Sequence, residues 1–186
     1  RSHGWSRDLS NKKYISKKYK NIDKNWIFIN SGFNLRPTDI QGAIAHNQFK
    51  RLDKLKKQRD DNRIKIIKKF KSSKKWNNQF KFIKVPQNIE PSWMGLPILL
   101  NEKYINKKQK FVNFLDQNGI ETRPIISGNF LNHPAAKLYK LNKKKLLFKN
   151  AQKVQDLGFL IGLHTKKIST HQLKLLHDYF FNIDRI

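Results

Sequence analysis

Between Thr38 and about Phe70, apolar side chains recur at helical spacing: Ile40, Ala43, Ile44, Phe49, Leu52 and Leu55, with the polar Asn47 as the exception in the series. Charged residues fill the positions between them, which predicts one long amphipathic helix. Pro37 suits its first turn, and Thr38 or Asp39 can satisfy the amide groups that a helix start leaves without partners. Upstream, Trp26 to Phe33 (WIFINSGF) alternates only loosely and predicts a short strand or extended stretch entering a turn at Gly32. The loop joining that stretch to the helix carries Asn34 and Arg36. A polar loop at a helix N-terminus is either a simple cap or a seat for an anionic group such as phosphate.

After the lysine-rich stretch at 71–75, the pattern changes period. Phe80, Phe82, Ile83 and Val85 predict a strand that ends at Pro86, and Ser92 to Leu100 (SWMGLPILL) predicts a buried strand that Pro97 places near an edge or bulge. Phe111, Phe114 and Leu115 mark a helix over 107–118 that Gly119 terminates before a strand, ETRPII. Residues 152–160 read as a short helix, 159–163 as a short strand, and Ser169 caps a final helix with Leu173, Leu176, Tyr179 and Phe180 on its apolar face. A long helix followed by alternating strands and helices gives an α/β fold class, in which an α+β small domain has its sheet covered by helices. The boundaries expected are 1–37 as the incomplete end of a larger domain, 38–75 as a connecting helix, and 76–186 as the small C-terminal domain.

Length adds a bound: 186 residues can bury a sizeable core as one domain with an extension. The single methionine is Met94, which leads us to expect a fragment of a longer protein. No apolar run approaches the roughly 18 residues of a membrane span, and the first residues have no signal-peptide stretch, so neither a membrane nor export is expected. The absence of cysteine removes disulfides and thiolate metal sites and suits the cytoplasm. The net charge of +27 raises a basic nucleic-acid-binding module as the competing reading. Only eight of the 40 basic residues are arginines, however, and the lysines are scattered among asparagines and isoleucines. Sequence-specific base readers rely on the bidentate arginine fork, so no specific nucleic-acid role is expected.

The chain contains no glycine-rich phosphate loop, no HExxH pair and no glycine-flanked serine nucleophile, so none of its residues is assigned a catalytic role. Its six histidines do not stack two on one helix turn, and no metal site is expected. Polar groups instead gather in loops beside predicted strand ends: His3 with Trp5, Asn34 with Arg36, then Arg123, Asn129 and His133.

Those loops resemble, in order and spacing, the motifs of one family. RSHGWSRD at Arg1–Asp8 looks like the segment that follows the cofactor-anchoring residue of the DegT/DnrJ/StrS family of pyridoxal-phosphate-dependent nucleotide-sugar aminotransferases and dehydratases. SGFNLRPTDIQGAIAHNQFKRLD at Ser31–Asp53 is similar to that family's G-Y-N-x-R-x-x-x-x-Q-A-A signature, with phenylalanine for tyrosine and glycine for the first alanine. GIETRPIISGNFLNHPA at Gly119–Ala135 resembles its G-I-x-T-R-P strand and the substrate loop behind it. HGW, SWMGLPI and GFLIGLH are most similar to the branch that acts on nucleotide-linked 4-keto-6-deoxyhexoses and includes 3-dehydratases.

The resemblance implies the C-terminal part of a fold-type-I, pyridoxal-phosphate-dependent transferase, working as a cytoplasmic homodimer with a shared active site, in deoxysugar synthesis for surface polysaccharide. It implies that Asn34 binds cofactor, reaching the phosphate of the neighbouring subunit's pyridoxal 5'-phosphate. Arg36, Arg123, Asn129 and His133 are implied to bind the nucleotide-diphosphate sugar. Three family features would lie upstream of Arg1: the anchoring lysine or the histidine that replaces it in 3-dehydratases, the aspartate facing the pyridine nitrogen, and the ring-stacking aromatic. The chain alone is therefore expected to be inactive.

Overall fold

The computed structural model describes residues 4–7, 9–24, 26–33, 37–138, 141 and 148–186. The chain forms two compact units, Arg1–Arg51 and Leu52–Ile186. In the first, helix α1 (Lys12–Lys18) and helix α2 (Asp39–Phe49) flank an extended segment. The short strand or extended stretch predicted at 26–33 is an extended stretch with one antiparallel bridge among the described residues, Trp5 with Phe28. Ser6 N–H donates to the Ile27 carbonyl at 2.9 Å and Ile29 N–H to the Gly4 carbonyl at 3.0 Å on either side of it. Trp5 packs edge-on against Trp26 and Phe28, with centroids 5.3 and 5.7 Å away. Helix α1 was not foreseen, because KKYISKK offers only Ile15 as a buried anchor.

The long helix expected from Thr38 to Phe70 is two helices: α2 ends at Phe49, and α3 runs from Leu52 to Lys71. Residue placement marks the break, with Asp53 in the first turn of α3, where a carboxylate complements the partial charge of the helix start. Burial differs as well, since α2 buries none of its residues whereas α3 buries Asn62, Ile66 and Phe70, one stripe at four-residue spacing.

The second unit is an antiparallel sheet covered by helices, the α+β arrangement. Its strands are β1 (Phe80–Phe82), β2 (Gly95–Leu100), β3 (Thr122–Arg123) and β4 (Gly158–Gly162), ordered β1-β2-β4-β3. Helices α4 (Lys108–Gln117), α5 (Ala135–Leu138), α6 (Lys149–Leu157) and α7 (Thr170–Phe180) complete it, with a 3-10 turn at Glu102–Lys107 leading into α4. Strand β2 alternates strictly, turning Leu96, Ile98 and Leu100 into the core. Although β2 lies between β1 and β4, its pairing with β1 stops at Ile98, so Pro97 faces a partner strand only at Leu160 of β4. The missing proline N–H thus falls where β2 is locally an edge.

Phe180, at the end of α7, is the hub of the core. Its ring centroid lies 4.9 Å from Phe70, 5.4 Å from Phe80, 5.6 Å from Phe111 and 6.2 Å from Phe159, joining α7 to α3, α4 and two strands. Asn62 adds a polar tie between α3 and the segment after β4. Its Nδ2 donates to the carbonyls of His164 (2.9 Å) and Lys166 (2.8 Å), and its Oδ1 accepts from Ile168 N–H and from Gln58, both at 3.1 Å. Four hydrogen bonds satisfy this buried amide, as burial demands.

Candidate functional site

Inside the first unit one sequence motif meets the stretch that leads into another. Gly4, of the HGW segment, has φ +86°, and a Cβ placed on it would lie 1.8 Å from the Asn30 carbonyl oxygen. Only glycine allows this backbone approach, which brings the 4–6 segment alongside the entry to the SGFN loop. Asn34 and Arg36 lie outside the described residues. At the start of α2, Thr38 Oγ1 accepts from Gln41 N–H at 3.3 Å and Gln41 Oε1 accepts from Thr38 N–H at 2.9 Å, a reciprocal capping box. The cap and the acidic Asp39 in the first turn occupy much of the positive end of the helix, which favours the cap over an anion at that position.

The third motif, 119–135, is built in the second unit from the end of α4 onward. Gly119, at φ +77°, lets the chain reverse while Ile120 N–H donates back to the Leu115 carbonyl at 2.9 Å. Asp116 then pins the strand, accepting from Thr122 N–H at 2.7 Å and from Thr122 Oγ1 at 3.1 Å. The strand expected over ETRPII is only Thr122–Arg123, paired with Ile161 and Leu160 of β4. Pro124 has no N–H for the ladder, and Ile126 turns the backbone away, its N–H donating to the Pro124 carbonyl at 2.8 Å.

Arg123 is exposed, and its Nε and Nη2 donate to Glu121 Oε1 at 3.0 and 2.8 Å. An ion pair this open contributes little, about 0–1 kcal/mol, so the guanidinium can exchange Glu121 for an incoming anion at small cost. Arg123 lines an open groove of about 890 Å³ with a mainly apolar wall, including Ile120, Leu160 and Tyr179, and with His164, Lys166 and Lys167 contributing nitrogen groups.

His133 lines a second, smaller cavity, and Asn129 is buried in the same loop. Gly128 has φ +54°, and the loop behind it packs on α6. Asn129 is 1% exposed, its Oδ1 accepting from Leu131 N–H at 3.2 Å and its Nδ2 donating to Gln152 Oε1 at 3.0 Å. Both ends of its amide are thus engaged within the protein. His133 is exposed at a pocket of about 290 Å³ lined also by Pro124, Ser127, Gln155 and Gly158. Its ring stacks on Phe130 at 5.7 Å, and Nε2 lies 2.8 Å from the Ser127 carbonyl oxygen. Lys108 supports this region from α4, donating to the Gln155 carbonyl at 2.6 Å; burial pushes its ammonium pKa down, against the raising effect of Asp156. The structure therefore brings Asn129 and His133 together in one loop and places Arg123 on the neighbouring groove. Gln152 and Gln155 were missed from sequence; their only signal was the i, i+3 spacing of two amides on one short helix.

The buried polar residues among those described are Ser6, Asn62, Gln79 and Asn129, none of them an amine or a carboxylate. They do not fit the anchoring of an aldehyde cofactor or the pairing of a pyridine nitrogen, so these residues do not form a complete pyridoxal-phosphate pocket. No three His, Asp or Glu side chains among the described residues are grouped to hold a metal ion. No described helix is long and apolar enough to cross a membrane.

Residues 1–175 match the model of the DegT/DnrJ/EryC1/StrS aminotransferase family, and the chain belongs to that family. It is 32% identical over 181 residues to the GDP-4-keto-6-deoxy-D-mannose 3-dehydratase of Yersinia pseudotuberculosis, covering 94% of this chain and 42% of that protein. It is 29% identical over 167 residues to the enzyme of the same name from Escherichia coli O55:H7, covering 88% and 41%. The solved structure of the E. coli enzyme with bound hydrated PLP superposes with a TM-score of 0.77 at 25% identity, over 96% of this chain and 45% of that one. The chain thus spans less than half the length of the curated relatives it matches.

Proposed function

We propose that this chain is the C-terminal part of a pyridoxal-phosphate-dependent enzyme acting on a nucleotide-linked 4-keto-6-deoxyhexose, a 3-dehydratase or sugar aminotransferase of surface-polysaccharide synthesis, and that it is inactive alone. The observation that carries this reading is the match to 3-dehydratases across nearly the whole chain, including the 119–135 loop, which folds here as a pocket wall. The basic nucleic-acid-binding alternative is not favoured, because the family match extends from residue 1 to residue 175.

In this reading residues 1–37 end the cofactor-bearing domain, 38–75 connect, and 76–186 form the small domain. The complete enzyme works as a cytoplasmic homodimer. Pyridoxal phosphate, when bound, supplies the electron sink for removing or replacing a sugar substituent. This chain supplies position: Asn34 reaches the cofactor phosphate, and Arg36 and Arg123 meet the anionic part of the nucleotide sugar. Arg123 can do so by leaving its exposed pair with Glu121. His133 and the Asn129 loop bound the sugar, with Asn129 acting through the shape of the loop.

The test is the coding sequence upstream of Arg1. An in-frame cofactor domain with histidine at the anchor supports a 3-dehydratase, and one with lysine an aminotransferase. A gene without such a domain overturns the proposal.

A further inference from the structure

The loop from Pro124 to His133 is held in a conformation that local preference does not favour. Ile126 has φ +29° with its side chain 83% exposed, so a β-branched residue is kept at positive φ without burial to offset the cost. Strain of this kind, on the order of 1–3 kcal/mol, persists only where the surroundings over-determine the backbone, and it gathers at ligand clamps.

The over-determination comes from one face of α6. Gln155 Oε1 accepts from Asn129 N–H at 3.1 Å and from Asn132 Nδ2 at 2.8 Å. Gln152 Oε1 accepts from Asn129 Nδ2 and from Asn132 Nδ2, both at 3.0 Å, while its own Nε2 donates to Asp156 at 2.8 Å. Gly128 leaves no slack beneath them, since a Cβ there would lie 2.7 Å from the Gln155 Cβ.

What the clamped loop presents follows from His133. Its Nε2 lies against the Ser127 carbonyl, which can only accept, so Nε2 carries the proton. In the neutral ring Nδ1 is then an acceptor, on a side chain that lines the 290 Å³ pocket. That pocket is at the small end for a ligand site and suits one sugar ring.

We propose that Gln155, assisted by Gln152, is a positioning residue that fixes the 127–133 loop so that His133 accepts, through Nδ1, a hydrogen bond from a hydroxyl of a bound hexose. The inference rests on the sugar-nucleotide reading above. It goes beyond it by naming the acceptor atom and the residues that aim it.

The experiment reads the two parts separately in the full chain. The ring nitrogen NMR shifts of His133 report the tautomer, and titrations with GDP-4-keto-6-deoxy-D-mannose and with GDP report the contribution of the sugar. The wild-type chain shows the Nε2–H tautomer and binds the sugar conjugate more tightly than GDP. Gln155→Ala mixes the tautomers and weakens the sugar conjugate about tenfold with GDP affinity unchanged, the size of one lost hydrogen bond to a positioned acceptor.

Gln155→Glu rescues both readouts, because Gln155 uses only its Oε1 and only as an acceptor in the clamp. Gln152→Glu does not, because it sets a carboxylate against Asp156. Asn132→Ala, at an exposed position, removes two of the loop's four bonds to the glutamine oxygens without touching the core and should reproduce part of the loss if Gln155→Ala unfolds the chain. A wild-type tautomer and a wild-type sugar preference in Gln155→Ala or Asn132→Ala overturn the inference. If Gln155→Ala mixes the tautomers while the wild-type chain does not distinguish the sugar conjugate from GDP, the sugar reading falls and the positioning of His133 by Gln155 stands.

Discussion

The backbone N–H of Asn129 donates to Gln155 Oε1 across 3.1 Å, joining the loop after β3 to helix α6 over 26 residues of sequence. That bond is one of four that two glutamine oxygens accept from the same loop. The loop at 127–133 is therefore shaped by helix α6.

Gly128→Ala should destabilise the second unit by about 1–3 kcal/mol, because the new methyl meets Gln155 Cβ at 2.7 Å and the backbone is at φ +54°. Urea unfolding measures it. Gly119→Ala provides the contrast: it shares the positive φ, +77°, but meets nothing within 4 Å, so its cost is the backbone term alone and should be smaller.

Phe180→Ala removes the ring that joins α7 to α3, α4 and the sheet. A loss of about 3–5 kcal/mol is expected, a large part of the stability of a domain this size. Thermal unfolding followed by near-UV circular dichroism reports it, since Phe70, Phe80, Phe111 and Phe159 all lose the same neighbour.

Asn62→Leu keeps the branching of the side chain but leaves the carbonyls of His164 and Lys166 and the N–H of Ile168 without their partner. Each unsatisfied buried group costs about 1–3 kcal/mol, so the variant should be clearly less stable in denaturant. Hydrogen exchange at Ile168 should rise before the amides of β2 do.

Acid should weaken the pair that His177 and Asp178 form on α7. His177 Nδ1 donates to Asp178 at 2.9 Å and its Nε2 accepts from Ser73 Oγ at 2.8 Å. The hydrogen bond from His177 holds the Asp178 carboxyl below its ordinary value. A carboxylate with a depressed folded value contributes stability that is complete above its unfolded value, about 4, and is lost as pH falls through the folded value. Asp178→Asn should therefore flatten the acid side of the stability profile below about pH 4. The side chain is half-exposed, so the effect stays under about 1 kcal/mol.

Much of the second unit was legible in the sequence because its signals are periodic and locally terminated. Phe111 with Leu115, the strand that ends at Leu100, Gly119 as a stop and Ser169 as a cap all appear as read. The break at 50–51 was not legible, since the apolar series continues through it and only the tertiary surroundings distinguish an exposed α2 from a buried α3. The two-residue length of β3 was marked by Pro124, whose effect on the ladder was underestimated. The candidate site residues Arg123, Asn129 and His133 carry no periodic signal and were legible only as polar groups in loops and through motif resemblance. The role of Gln155 depends on a contact across 26 residues that spacing alone does not reveal.

The central claim, that this chain supplies substrate positioning to a cofactor domain and has no catalysis of its own, is tested most directly by a chimera. The chain replaces the matching part of the Yersinia pseudotuberculosis 3-dehydratase, and consumption of GDP-4-keto-6-deoxy-D-mannose is measured for the chimera and for the isolated chain with added cofactor. The account predicts turnover by the chimera and none by the chain alone. Turnover by the isolated chain, or a folded, cofactor-loaded chimera that neither binds nor converts the sugar nucleotide, would contradict it.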